Sequence, residues 1–173
     1  MTQLQMTIQN APHETELSLP RQLKQQFPLS QPLAAQIAEH RQTIQNILSG
    51  QDHRLLVIAG PCSIHDPHAA LEYADKLLEL QKQVEQRIFI VMRAYIEKPR
   101  TTVGWKGFLY DPALDGSANM QLGLEMSRSL YLDLIAKGLP IASEILNPMA
   151  TQYFDDLLSW GAIGARTSES QIH

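Results

Sequence analysis

LLVIAGPCSIHD, residues 55–66, is a short apolar run broken by Gly60-Pro61 and closed by the helix-start signal Asp66-Pro67. Five apolar residues without alternation, Leu55–Ala59, predict a strand buried on both faces, as in a parallel sheet. Ser63, His65 and Cys62, the sole cysteine, then fall on the loop at that strand's carboxyl end. Strand–helix folds put their chemistry at that end.

Working outward, Asp66-Pro67 caps a helix whose inner face carries Ala70, Tyr73, Ala74, Leu77, Leu78 and Val84. Ile88–Met92 (IFIVM) is a second strand ending at Arg93. Residues 94–119 lack a helical period and are rich in Gly, Pro, Thr and Asp, which predicts a long loop, either functional or disordered. Met120–Lys137 is the next helix, stopped by Gly138 and Pro140. Leu139–Ser143 is a short third strand ending at Glu144. Thr151 opens a helix with Tyr153, Phe154, Leu157, Leu158 and Trp160 on its apolar positions, and Ala162–Ala165 is a fourth strand ending at Arg166. The alternation predicts a parallel α/β fold. Cys62, Arg93, Glu144 and Arg166 then share one face, although they are distant in sequence.

Upstream, Leu33, Ile37, His40, Ile44, Ile47 and Leu48 recur at helical spacing within Ser30–Ser49, and Gly50 follows as a stop. This amphipathic helix is expected to cover one end of the domain, with His40 packed or half-exposed rather than ligating. Residues 1–30 are polar, contain three prolines and show no sustained period. They read either as a flexible terminus or as an arm docked on the body or on a neighbouring subunit. The chain stops at His173, soon after the fourth strand, so the pattern predicts an incomplete chain or pairing with another polypeptide.

The chain has 173 residues, 44% hydrophobic and 18% charged, with a formal net charge of -4. That composition is globular, and the acidic balance argues against nucleic acid as a partner. Four cations and one anion lie between Arg93 and Lys106, leaving the rest of the chain at net -7. A basic cluster in an acidic protein suits a small anionic ligand. A single cysteine forms no internal disulfide, which fits a reducing compartment. No signal peptide or run of membrane-spanning length is visible, so the expected location is cytoplasmic, with no membrane partner.

EKPRTTVGWKG, residues 97–107, is the most informative motif. Lys98, Arg100 and Lys106 supply charge, Thr101 and Thr102 supply hydroxyl donors, and Gly104 and Gly107 permit close turns. Arginine forks match phosphate or carboxylate oxygens, whereas lysine acts as a point charge. With Arg93 and Arg166, five cations can face one cavity, which suits two anionic substrates. Neither a Walker loop nor GxGxxG follows any strand, which weakens nucleotide readings. Cys62 admits three readings: a buried inert thiol, a nucleophile with His65 three residues away, or one ligand of a divalent first-row metal.

GPCSIHDP (60–67), VMRAYIEKPRTTVGWKG (91–107), Asp111-Pro112, GLP (138–140), Ser143-Glu144 and SWGAIGARTSESQIH (159–173) closely resemble type I DAHP synthase, the feedback-regulated microbial 3-deoxy-7-phosphoheptulonate synthase. The resemblance implies a (β/α)8 TIM barrel of class α/β, here its amino-terminal extension and about the first four β/α units. Residues 1–50 correspond to the extension, with subunit-contact and regulatory roles, and residues 51–173 to the first half of the catalytic barrel. The implied activity is that of a transferase opening the shikimate pathway to the aromatic amino acids. It condenses phosphoenolpyruvate with erythrose 4-phosphate and water. By the resemblance, Cys62 is a ligand of a divalent metal of the Mn, Fe, Co or Zn type, and the other ligands belong to later strands. Arg93, Lys98, Glu144, Ala165 and Arg166 match the phosphoenolpyruvate site. Lys98, Pro99, Arg100 and Thr101 match the erythrose 4-phosphate segment, and Lys98 and Cys62 match catalytic positions. An aromatic amino acid effector, bound near Ile145–Gln152 and the arm, and a homo-oligomer are implied as well. The alternative is a non-catalytic half-barrel that keeps the substrate motifs and a subunit-association surface.

Overall fold

The computed structural model describes residues 16–99 and 104–164. Its elements are α1 (Pro20–Gln26), α2 (Gln31–Leu48), β1 (Leu55–Ala59), α3 (Pro67–Val84), β2 (Ile88–Arg93), α4 (Met120–Ala136), β3 (Ile141–Ile145), α5 (Pro148–Thr151) and β4 (Trp160–Ile163). The strands form one parallel sheet in the order β1-β2-β3-β4. Parallel neighbours need crossovers, and α3, α4 and α5 supply them in turn. Asp66 caps α3 by accepting from the N–H groups of His68 and Ala69, so the loop after β1 ends where the sequence signal puts it.

Successive side chains alternate across the sheet, and its two faces have different partners. Ile90, Met92 and Ile141 meet Ala74 and Leu77 of α3 and Leu134 and Ile135 of α4 in the main core. The other face carries Val91 and Ala142 with Ile44 of α2, joined by Leu56, Phe89 and Trp160. The ring of His40 lies 6.1 Å from that of Phe89, and burial lowers its pKa. Arg93 and Glu144 share the parity of Val91 and Ala142. They stand on the α2-side face, beyond the apolar layer and toward the carboxyl ends of their strands.

Several boundaries differ from the sequence reading. β1 is not buried on both faces: Leu55 is 63% and Ile58 36% exposed, because the strand comes first in the sheet order and pairs on one side only. Within the polar stretch 1–30, Pro20–Gln26 is helical, and Leu23 is fully buried. Seven residues with one buried apolar side chain are too few to register as a period. β3 runs to Ile145, so Glu144 lies within the strand. The helix expected to open at Thr151 ends there, since Asn147 accepts from Met149 N–H and caps a single turn begun by Pro148. Phe154, Leu157 and Leu158 are buried on the turns that follow. Trp160 opens β4, which ends at Ile163, two residues before the expected end. Ala165 and Arg166 lie outside the described residues.

Residues 16–19 are docked. Ser18 N–H donates to Gln121 Oε1 at 2.9 Å, and the Tyr153 hydroxyl donates to Ser18 O at 2.7 Å. Below them Arg128, on α4, is fully buried. Its guanidinium donates to Phe27 O at 2.9 Å, Tyr153 O at 2.8 Å and both Asp156 oxygens at 2.9 and 2.8 Å. One side chain thus ties the α1–α2 link, α4 and the approach to β4. Residues 104–119 pack on α4 through Gly123, where an added Cβ would lie 1.9 Å from Leu109 O. Gly123→Ala gains about 1 kcal/mol of helix propensity. A backbone overlap of that size outweighs the gain, with overpacking costing about 1–3 kcal/mol. The expected outcome is a net loss of stability, read from the urea midpoint.

Candidate functional site

The site begins where the loop after β1 crosses the end of β2. At Gly60 an added Cβ would sit 2.5 Å from Arg93 O and 2.9 Å from Arg93 Cβ; only glycine lets the two chains pass. This crossing puts Cys62 beside Arg93, whose Nη2 donates to Cys62 O at 3.3 Å. The Arg93 guanidinium carbon lies 3.9 Å from the centre of the Tyr95 ring, a cation–π arrangement. Its Nε–H is buried without a partner, so the fork retains an unused donor. Lys98 Nζ donates to Cys62 Sγ at 3.2 Å. Cys62, Arg93 and Lys98, from a loop, a strand end and a second loop, therefore form one contact group.

The loop carrying Lys98 is anchored at its base. Lys98 N–H donates to Lys106 O at 2.9 Å, Leu109 N–H to Ile96 O at 3.0 Å, and Trp105 Nε1 to Asp111 O at 2.8 Å. Gly107 takes φ +113°, and a Cβ there would meet Ile96 O at 2.5 Å, so the return of the loop requires glycine. Glu97 is buried, although the sequence counts it among a run of charges. Its carboxylate accepts from the Tyr110 hydroxyl at 3.0 Å and from the backbone N–H groups of Asn147 and Leu146. Burial raises its pKa against those hydrogen bonds. The Tyr110 phenol is pushed up to about 12, by burial first and then by the Glu97 charge. Glu97 thereby holds the Lys98 loop to the segment following β3.

Glu144 is half-buried on β3, paired with Ala162 of β4. Gly164 sits against it: a Cβ there would lie 3.3 Å from Glu144 Oε1. Glu144 and Arg93 both act electrostatically on the Tyr95 phenol, whose pKa burial raises. The structure thus brings Cys62, Arg93, Lys98 and Glu144 to the carboxyl ends of β1–β3. Pro99 is exposed at the start of the loop tip, while Arg100 and Thr101, like Ala165 and Arg166, lie outside the described residues. Among the described residues no group of three His, Cys, Asp or Glu side chains is placed to hold a metal. Cys62 is exposed and is a soft donor of the right kind, but it is one donor and not a closed set.

Two residues at this site escape a reading by residue type. Tyr95 follows Arg93 by two positions, so strand alternation puts both on one face, and that signal was available. Tyr131 gave none: it reads as one more apolar position of α4. Its hydroxyl donates to Ala94 O at 2.6 Å and lies 3.0 Å from Ser143 Oγ.

Parallel strands with helical crossovers, and charged side chains gathered beyond their carboxyl ends, are shared by β/α barrels and doubly wound sheets, and the strictly sequential order β1-β2-β3-β4 is that of the barrel class. The solved phospho-2-dehydro-3-deoxyheptonate aldolase of Francisella tularensis SCHU S4 superposes with a TM-score of 0.88 at 50% identity, over 94% of this chain and 48% of that one. The four-stranded sheet is accordingly part of a TIM barrel. The model of the DAHP synthetase I family matches residues 26–173, and the chain belongs to that family. The Tyr-sensitive phospho-2-dehydro-3-deoxyheptonate aldolase of Escherichia coli K12 is 54% identical over 160 residues, 92% of this chain and 45% of the relative. The Phe-sensitive enzyme of the same organism is 52% identical over 158 residues, 91% of this chain and 45% of the relative. The Trp-sensitive enzyme of Enterobacter agglomerans is 54% identical over 157 residues, with the same two shares. The chain spans about half the length of these relatives. No helix among the described residues is long and apolar enough to cross a membrane.

Proposed function

We propose that these residues form the first half of a 3-deoxy-7-phosphoheptulonate synthase site, in which phosphoenolpyruvate, erythrose 4-phosphate and water give the heptulosonate phosphate and inorganic phosphate. The observation that carries the reading is the contact group of Cys62, Arg93 and Lys98, with the unused Arg93 Nε–H beside it. Arg93 and Lys98 bind the phosphate and carboxylate of phosphoenolpyruvate, together with Glu144, Ala165 and Arg166. Lys98, Pro99, Arg100 and Thr101 hold the aldose phosphate. Fixed cations neutralise two substrates that would otherwise repel, and holding them together supplies most of what this half contributes to the rate. Carbon 3 of phosphoenolpyruvate attacks the aldehyde, water adds at carbon 2, and phosphate leaves by carbon–oxygen cleavage. Lys98, between the substrates, hands a proton to the oxygen that was the aldehyde.

Cys62 contributes one ligand to a divalent metal whose other ligands lie beyond the described residues; when bound, that metal acts as a Lewis acid toward the aldehyde. An aromatic amino acid effector fits the names of the relatives. The contact of Tyr153 with Ser18 supports a place for it between the arm and residues 145–152. A homo-oligomer in the cytoplasm completes the proposal.

The test is titration of the purified chain with phosphoenolpyruvate, followed by 31P NMR, and assay of product with erythrose 4-phosphate and Mn2+. Saturable binding is expected. Condensation by the chain alone is expected to be slight, since among the described residues no group of three donors is placed to hold the metal. Absence of any phosphoenolpyruvate binding would overturn the site and leave the non-catalytic half-barrel. A Co2+ titration is expected to develop thiolate-to-metal absorption that Cys62→Ala removes; absorption that persists in the variant rejects Cys62 as the ligand.

A further inference from the structure

We infer that Tyr131 is a positioning residue: its buried hydroxyl bridges the carboxyl ends of β2 and β3 and fixes the gap between Arg93 and Glu144. Its importance to substrate rests on the reading of those two residues as phosphoenolpyruvate contacts. The geometry has three parts. Tyr131 is fully buried on the helix side of the sheet, opposite the face that presents Arg93 and Glu144. Its single hydroxyl hydrogen goes to Ala94 O at 2.6 Å, so at 3.0 Å the phenol oxygen accepts from the Ser143 hydroxyl. Ala94 directly follows Arg93, and Ser143 directly precedes Glu144.

The backbone ladder between these strands ends at this level, and the next tie beyond the bridge is the Glu97 carboxylate with the N–H groups of Leu146 and Asn147. β2 and β3 are in register at Met92↔Ile141 and Arg93↔Ala142, and the last ladder bond runs from Ala94 N–H to Ala142 O at 2.8 Å. Beyond it, β2 departs into the Lys98 loop while β3 goes on to pair with β4. Tyr131 joins the strands where their own hydrogen bonding stops. A phenol has two χ angles and a rigid ring, so a fixed helix converts into a fixed distance between strand ends. Removing the hydroxyl orphans the Ala94 carbonyl and the Ser143 hydroxyl, and the ends part to find other partners.

The experiment compares Tyr131→Phe, Ser143→Ala and Ile135→Val in the full 173-residue chain. Ile135, also buried on α4, reports a mild loss of packing without loss of the bridge. The readouts are the Arg93 side-chain Nε–H resonance, the amide resonances of Tyr95 and Glu144, and the phosphoenolpyruvate Kd. Tyr131→Phe and Ser143→Ala are expected to move all three resonances and to raise Kd about two- to tenfold, the worth of one hydrogen bond; Ile135→Val is expected to move neither. Unmoved resonances in both bridge variants, or equal movement in Ile135→Val, overturn the inference. Should Ser143→Ala alone give folded protein, its resonances decide the matter. If the wild-type chain does not bind phosphoenolpyruvate but the resonances still move in Tyr131→Phe and Ser143→Ala, Tyr131 is upheld as the spacer and the substrate assignment is rejected instead.

Discussion

Arg128→Ala is expected to lower the stability of this chain by about 3 kcal/mol, the low end of what removing one partner of a buried ion pair costs, because Asp156 is only part-buried. That is a large part of the roughly 5–15 kcal/mol typical of a folded domain. The loss has identifiable sources. The fully buried guanidinium donates to Phe27 O, Tyr153 O and both Asp156 oxygens, and alanine leaves all of these acceptors without it. Urea denaturation measures the effect; a change under 1 kcal/mol would mean that water replaces the side chain at no cost. Arg128→Met with Asp156→Leu is expected to recover much of the stability, because the part-buried carboxylate goes with its partner.

The same pair predicts a pH dependence. Burial alone would raise the Asp156 pKa, but hydrogen bonds and charge from Arg128, with charge from Lys24, outweigh it and hold the carboxyl low. A carboxyl depressed in the native state contributes stability above its unfolded pKa of about 3.9. That contribution is lost as pH falls through the lower native value. Wild-type stability is therefore expected to fall across that acid range more steeply than that of Arg128→Ala. Parallel curves from urea titrations at stepped pH would remove the coupling.

Arg93→Ala carries the second large effect, on binding rather than folding. Arg93 contacts both Cys62 and Tyr95, and a hydrogen bond to a charged group is worth about 1.5–3 kcal/mol. Phosphoenolpyruvate Kd is expected to rise by roughly 10- to 150-fold, with the urea midpoint little changed. Arg93→Lys is expected to recover little, since an ammonium cannot reproduce the guanidinium's contact over the Tyr95 ring or its fork. Kd within twofold of wild type for Arg93→Ala would exclude the residue from the anion site.

Much of the framework is legible in local pattern. Leu55–Ala59 is a strand, Asp66-Pro67 starts a helix and Gly138 follows the end of α4, each by chemistry that acts within a few residues. The errors fall where context overrides pattern. The apolar run after Thr151 resembles a helix, yet Asn147-Pro148 caps an earlier single turn and Phe154 reaches the core from a turn. Glu97 sits in a string of cations with no local pattern to mark it as buried, yet packing encloses it with Tyr110 and two backbone donors.

By itself the sequence determined the four strands and helices α2, α3 and α4, that the strands run parallel, and that Cys62, Arg93 and Glu144 belong toward one set of strand ends. These follow from periodicity, capping and the alternation of strand with helix, all short-range or topological. The tertiary structure decided that Lys98 Nζ reaches Cys62 Sγ, that the Arg93 guanidinium lies over the Tyr95 ring, and that a phenol on α4 spans two strand ends. Those facts depend on distances between residues tens of positions apart, and only a packed core sets such distances.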